Sequence, residues 1–154
     1  MRVLAAGLSA AGLLAGFAFL PEPVVQVVTV PYDRDAAILL AGKQVPDEID
    51  SFYFFVLDTE TSVDEDGEEL ALVLQKAAIE QDYLGIVGPD PERNRATLLH
   101  ALDASRGSDL SGVIVIYVGP DEQADELARR IGETGAELRF VTYPQQAVPG
   151  APSI

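Results

Sequence analysis

From Val24 to Tyr143 the chain alternates short apolar runs rich in β-formers with segments that have helical apolar spacing. Parallel strands need long crossover connections, usually helices, and such crossovers are right-handed. The pattern therefore predicts a single three-layer α/β domain, in which a mostly parallel sheet of about four to five strands lies between helices. A ferredoxin-like split arrangement is the alternative. It needs an antiparallel strand between Ala104 and Val113, where the residues SRGSDLSG are typical of a loop.

The apolar runs and the helical spacing predict five strands and four helices. The strands are expected at residues 24–30, 52–57, 83–87, 113–118 and 138–143, and the helices at 33–41, 68–81, 92–104 and 122–133. The run at 52–57, FYFFVL, is apolar on both faces, which is typical of a central strand covered on each side. Residues 24–42 are open to two interpretations, as a first strand–helix unit or as a lead-in at a sheet edge. The acidic domain is expected to span 24–143, with a disordered tail at 144–154.

The tetrapeptide Val-Gly-Pro-Asp occurs twice, at residues 87–90 and 118–121, each time between a predicted strand and a predicted helix. Glycine allows a sharp turn, proline ends the strand ladder, and aspartate can cap the following helix amides. Pro91 then occupies a favoured first helical position in the first copy. The repeat predicts two similar turns, with Asp90 and Asp121 as helix caps.

The N-terminal segment has Arg2 followed by an apolar run, rich in Ala, Leu, Gly and Phe, from Val3 to Leu20. This order is typical of a signal peptide, and cleavage after small residues at Gly16 and Ala18 would leave Phe19 as the first residue. A retained membrane anchor is the alternative, because the run is about 27 Å long as a helix, close to a bilayer core of about 30 Å. Both readings predict an extracytoplasmic domain, periplasmic or secreted, that contacts the membrane only through residues 3–20 if uncleaved.

The chain is strongly acidic, with 25 Asp and Glu against 10 Lys and Arg and a formal net charge of -15. Nucleic acids and anionic lipids are therefore poor partners, because they carry the same sign of charge. The sequence contains no cysteine and one histidine, His100. Disulfides, thiolate metal sites and a cysteine nucleophile are excluded, as is a multi-histidine site within one chain. We expect His100 to be a surface or boundary residue rather than a catalytic base.

Acidic residues follow three of the predicted strands, at Asp58, Asp90 and Asp121. Ligands of doubly wound sheets bind beyond the carboxyl ends of the strands. Carboxylates at that edge could hold Mg²⁺ or Ca²⁺, which prefer oxygen ligands. The competing interpretation is that Asp90 and Asp121 cap helices and that Asp58 bonds within its own loop.

Asp58 and Ser62 also match the outer positions of Asp-x-Ser-x-Ser, which ends the first strand of von Willebrand factor A domains. Thr97 resembles the threonine that a later loop of that family supplies, and Asp121 lies where the family has Thr-Asp-Gly. The resemblance implies a Mg²⁺ or Ca²⁺ site formed by these four residues and a role in adhesion or sensing. Glu60 replaces the middle serine, and the span is shorter than the family requires.

Three functions follow from these patterns. The first is a non-enzymatic protein-binding or scaffold domain that binds another envelope protein and needs no cofactor. The second is the cation-dependent adhesion or sensing module. The third is a hydrolase in which Asp58 and a second acid form a pair of catalytic carboxylates.

Overall fold

A computed structural model describes residues 32–143, which belong to one unit, Val30–Pro144. Among these residues no helix is both long and apolar enough to cross a membrane. The strand expected at 24–30, the apolar segment at 1–20 and the tail at 144–154 lie outside the described residues. The predictions for these three segments are unaffected by the structure.

Strands and helices alternate along the described chain. The elements are α1 (Arg34–Gly42), β1 (Tyr53–Val56), α2 (Val63–Glu80), β2 (Tyr83–Val87), α3 (Pro91–Ala104), β3 (Ile114–Gly119), a 3₁₀ turn (Asp121–Gln123), α4 (Ala124–Gly132) and β4 (Glu137–Thr142).

The four described strands form one sheet in the order β1-β2-β3-β4, and every pair is parallel. This confirms the α/β fold with a parallel sheet. The ferredoxin-like alternative is wrong, because residues 105–112 form turns and loops with no strand among them. Each crossover advances in the same direction, so right-handed connections place the three connecting helices on the same face of the sheet.

The main core lies between that face and α2, α3 and α4. Leu74, Leu98 and Leu127, one from each helix, are fully buried in one cluster with Leu84 and Val115 of the sheet. The opposite face is covered by α1 over β2 and β3, where Ala37 and Ala41 pack with Val87, Ile116 and Val118. Helices therefore lie on both faces of the sheet, although α1 is the single described helix on one of them.

Two helices, α2 and α4, start two or more residues away from the expected positions. α2 begins at Val63 rather than at Glu68, because Ser62 caps its first turn. The apolar stripe that predicted this helix covers only the part of α2 that packs against the core. α4 begins at Ala124, and the residues before it form the 3₁₀ turn.

The position of β1 corrects a prediction. Its run of apolar residues indicated a central strand, but β1 lies at the edge of the sheet and pairs only with β2 among the described residues. Val56 is 43% exposed, and the other three residues of β1 are only partly buried. The strand therefore has the composition of a central strand and the position of an edge strand.

Candidate functional site

Asp58 lies at the carboxyl end of β1, where its carboxylate is used by its own loop. One oxygen, Oδ1, accepts hydrogen bonds from the amides of Glu60 at 2.8 Å and Thr61 at 3.3 Å, and from the Thr61 hydroxyl at 3.1 Å. These bonds hold the pKa of Asp58 below its usual value, because they favour the charged form. The side chain is solvent-exposed, and it organises the turn that leads into α2.

Ser62, the second predicted ligand, is the N-cap of α2. Its hydroxyl accepts from the Glu65 amide at 3.1 Å, and the Glu65 carboxylate accepts from the Ser62 amide, which completes a capping box. Helix capping of this kind satisfies backbone amides that have no partner within the helix. The oxygens of Asp58 and Ser62 thus both bond to groups in or beside the same loop.

Arg93, near the start of α3, fixes this loop from the neighbouring helix. Its Nε donates to the Asp58 carbonyl at 2.8 Å, its Nη2 donates to the Thr61 carbonyl, and the same nitrogen pairs with the Asp66 carboxylate at 2.7 Å. Both partners of the ion pair are largely buried. Sequence reasoning missed this contact, because it depends on α3 packing beside α2.

Thr97 and Asp121 belong to other elements of the fold than that loop. Thr97 is fully buried in α3, and its hydroxyl has no hydrogen-bond partner among the described residues. Asp121 begins the 3₁₀ turn after β3, and its carboxylate accepts from the Thr142 hydroxyl of β4. Because β2 separates β1 from β3, Asp58 and Asp121 follow strands about 10 Å apart.

The structure thus brings Asp58 and Ser62 together, but it does not gather all four predicted ligands. Within residues 32–143 no group of three or more Asp, Glu, His or Cys side chains is arranged to hold a metal ion. Mg²⁺ or Ca²⁺ binding stays a prediction. A thermal melt of the chain with millimolar cation against EDTA tests it, since a bound ion raises the midpoint.

The usual ligand crevice of a doubly wound sheet has no counterpart among the described strands. That crevice forms where the strand order reverses, and the order here is consecutive. Side chains of the protein also fill the carboxyl edge. Asn94 donates to the Gly88 carbonyl at 2.8 Å, and Gln123 is 4% exposed.

Gln123 joins the end of β3 to the start of α3. Its Oε1 accepts from the Tyr117 hydroxyl at 2.9 Å, and its Nε2 donates to the Pro91 carbonyl at 3.0 Å and to Glu92 at 3.2 Å. Burial raises the pKa of Tyr117, because a buried phenolate would lose its hydration. The network is therefore neutral on the tyrosine side, and it closes the edge between β3 and α3.

His100 lies between α2 and α3, with its ring against Gly67. A Cβ at Gly67 would approach the ring to 2.5 Å, so the two helices are in close contact there. Its Nδ1 is 3.3 Å from the Asp64 carboxylate, and about a third of its side chain is exposed. This is a boundary histidine, as the sequence indicated.

The unpaired side of β1 is the part of the described chain that is open to a partner. The Leu57 amide donates to the Val87 carbonyl at 2.8 Å, toward β2. Because backbone groups alternate along a strand, the N–H and C=O groups of Phe54 and Val56 face the other way. They line an edge to which no described strand is bonded.

Apolar side chains flank this edge on the face that carries α1. Phe52 and Phe54 pack at the margin of the cluster beneath α1, with ring centroids 4.9 Å apart. Val56 follows on the same face by alternation and is 43% exposed. α1 lies mainly over β2 and β3, so among the described helices it reaches only the margin of this row along β1.

In comparisons with protein-family models, with curated proteins and with solved structures, the chain shows no match. The resemblance to von Willebrand factor A domains therefore rests on its motif residues alone.

Proposed function

We propose that residues 32–143 form a protein-binding domain that accepts a strand of another protein along the unpaired edge of β1. The observation that carries this proposal is the conflict between composition and position. The segment FYFFVL has apolar residues on both faces, as a central strand does, yet within residues 32–143 β1 has a neighbouring strand on one side only. A strand bound at the edge would give β1 the environment that its composition fits.

The backbone supplies the affinity in this mode of binding. The outward N–H and C=O groups of Phe54 and Val56 would pair with the partner's main chain, which removes the aggregation hazard of an exposed apolar edge. The side chains of Phe52, Phe54 and Val56 would contact alternate residues of the added strand. A partner with apolar residues at alternate positions fits this row.

Charge restricts the partner further. Asp47, Glu48 and Asp50 precede the strand and are exposed, and Asp58 and Glu60 follow it. A bound strand with Lys or Arg at its ends would therefore be favoured over an acidic one, since opposite charges steer association. We place this partner in the cell envelope, because Arg2 and the apolar run to Leu20 predict export of the domain.

The edge is tested by the substitution Val56→Pro in the full chain. Proline removes the outward amide of Val56 but no bond to β2, because the amide that bonds there belongs to Leu57. The variant should fold and should lose the partner that the wild type captures from solubilised envelope. Val56→Thr is the control, because it keeps the amide and the β-branched shape.

Hydrogen exchange gives a direct readout with the captured partner. The amides of Phe54 and Val56 should exchange more slowly in the complex, while the Leu57 amide is already protected in the free protein. Capture by Val56→Pro at wild-type level, with unchanged exchange at Phe54, would show that the partner binds elsewhere.

A further inference from the structure

A cavity of about 490 Å³ lies at the amino edge of the sheet, opposite the edge where the sequence placed its candidate ligands. It is formed where α3 and α4 end and where the chain turns back toward β3 and β4. Its lining consists mainly of polar residues, with Leu102 as the apolar exception: Asp103, Ser105, Arg106, Gly107, Ser108, Arg129, Arg130, Glu133 and Thr134.

Three arginines line this cavity, Arg106, Arg129 and Arg130, in a chain with only 10 Lys and Arg residues. Asp103 accepts from Arg106 at 3.1 Å and from Arg130 at 2.7 Å, and Glu133 accepts from Arg129 at 2.6 Å. The two carboxylates orient the guanidiniums without neutralising all three. Each guanidinium has five N–H donors, so most of them are available to a ligand.

Ser105 provides an independent observation. It follows the last residue of α3, lines the cavity, and is only 2% exposed. Its hydroxyl has no hydrogen-bond partner among the described residues. A buried hydroxyl without a partner is unfavourable, and a rotation of this side chain toward the adjoining polar cavity would give the hydroxyl a ligand oxygen as its partner.

Helix-dipole stabilisation explains part of this arrangement. Arg129 and Arg130 lie in the last turn of α4, where positive charge complements the helix dipole. That role needs neither a cavity nor a third guanidinium from the segment after α3. Stabilisation of the helix dipole also provides no hydrogen-bond partner for the buried Ser105 hydroxyl.

We propose that the cavity binds a small oxyanion, a phosphate or a carboxylate. The planar guanidinium matches two oxygens of such a group, and the site is a local positive patch on a strongly acidic protein. Arg106 and Arg130 would donate to the anion, and the Ser105 hydroxyl would donate to a further oxygen. This inference is independent of strand binding at β1, because the two proposed sites share no residues and the cavity lies beside the ends of α3 and α4.

The test is a titration of the full chain with inorganic phosphate and, separately, with succinate, followed by calorimetry and by NMR. Arg106→Gln should weaken binding about tenfold, because a charge-assisted hydrogen bond is lost. Arg106 is largely exposed, so this variant should fold. Arg34→Gln is the matched control, since it makes the same change of charge at an exposed position on α1.

The separate titrations with phosphate and with succinate distinguish the two kinds of anion. Binding of phosphate alone assigns a phosphate group, and binding of both ligands assigns a general oxyanion site. Absence of binding at millimolar concentrations of both ligands would overturn the proposal. Equal weakening by Arg34→Gln and Arg106→Gln would also overturn it, because the effect would then come from net charge.

Ser105→Ala gives a second measurement that a purely structural role would not reproduce. Without phosphate the thermal midpoint should stay the same or rise, because an unpaired buried hydroxyl is removed. With phosphate the rise of the midpoint should be smaller than in the wild type. A lower midpoint without phosphate, together with an unchanged rise, would contradict a ligand role for Ser105.

Discussion

Two copies of the tetrapeptide Val-Gly-Pro-Asp end β2 and β3, and they lead into their helices in different ways. In the first copy Asp90 is the N-cap of α3 and accepts from the amides of Glu92 and Arg93, each at 3.1 Å. In the second copy Asp121 has entered a 3₁₀ turn and makes no cap, and its carboxylate accepts from the Thr142 hydroxyl. The prediction of a cap is confirmed for Asp90 and wrong for Asp121.

The difference comes from what surrounds each copy. Pro91 follows the first copy and starts α3 at once, which leaves Asp90 in the cap position. Gln123 lies two residues after the second copy, bonds to Tyr117 and to the Pro91 carbonyl, and is the last residue of the 3₁₀ turn. Local chemistry therefore determines that a turn forms, and tertiary contacts determine how the helix begins.

Both copies have a glycine at which a Cβ would lie too close to neighbouring side chains. Substitution of the first of these glycines should have the largest effect on stability. A Cβ at Gly88 would lie 2.3 Å from Asn94 Oδ1 and 2.8 Å from Leu57 Cβ. Because both neighbours are buried, Gly88→Ala should lower the free energy of unfolding by about 1–3 kcal/mol. Urea denaturation measures the loss.

Gly132→Ala is the control for that experiment, since a Cβ there meets no atom within 4 Å. Alanine favours the helix at this exposed position, so stability should be unchanged or slightly higher. A Gly88→Ala variant as stable as Gly132→Ala would show that the turn after β2 is looser than the contacts indicate.

Loss of the Asp90 cap should have the next largest effect on stability. Asp90→Ala removes the acceptor of two α3 amides and should cost about 1 kcal/mol of stability, whereas Asp90→Asn should be nearly neutral, because asparagine caps equally well. Arg93 is in the first turn of α3, so fraying there should also loosen the loop after Asp58. Urea denaturation measures the stability, and faster amide exchange at Glu60 and Thr61 would report the loosening. Equal stability of the alanine and asparagine variants would contradict the cap.

These contrasts show how far the sequence determined the structure. Residues 83–87 were predicted as a strand with the observed bounds, because polar and turn residues limit the apolar run on both sides. The position of β1 at the edge of the four described strands was not predictable, because apolarity on both faces does not reveal the number of neighbouring strands. Arg93 and the arginines around Ser105 were missed for another reason: each group joins residues that are distant in sequence and meet only when helices pack.

The second copy also predicts a dependence of stability on pH, because the hydrogen bond from Tyr117 to Gln123 takes the place of a helix cap there. Burial raises the pKa of Tyr117 above its ordinary value of 10.0. A folded-state pKa above the unfolded value means that the neutral phenol's contribution is complete below about pH 10 and is lost as pH rises further. Unfolding free energy should therefore fall above about pH 10 more steeply in the wild type than in Tyr117→Phe.

At neutral pH, Tyr117→Phe should cost about 1 kcal/mol or less, because one hydrogen bond to Gln123 is lost while the ring stays packed. The control is Tyr53→Phe, which removes an exposed phenol from β1 that bonds to Glu80. Identical slopes of stability against pH for the wild type and Tyr117→Phe would show that this phenol does not ionise on unfolding as described.

Asp121→Ala should have the smallest effect, although Asp121 matches Asp90 in every letter of its tetrapeptide. Its carboxylate is exposed, caps no amide, and accepts a hydrogen bond from the exposed Thr142 hydroxyl. Exposed hydrogen bonds of this kind exchange with water at little cost, so unfolding free energy should change by less than about 0.5 kcal/mol. The same denaturation series as for Asp90→Ala measures it. A loss as large as that of Asp90→Ala would mean that Asp121 caps the helix in solution, and the two turns would then be equivalent, as their sequences predict.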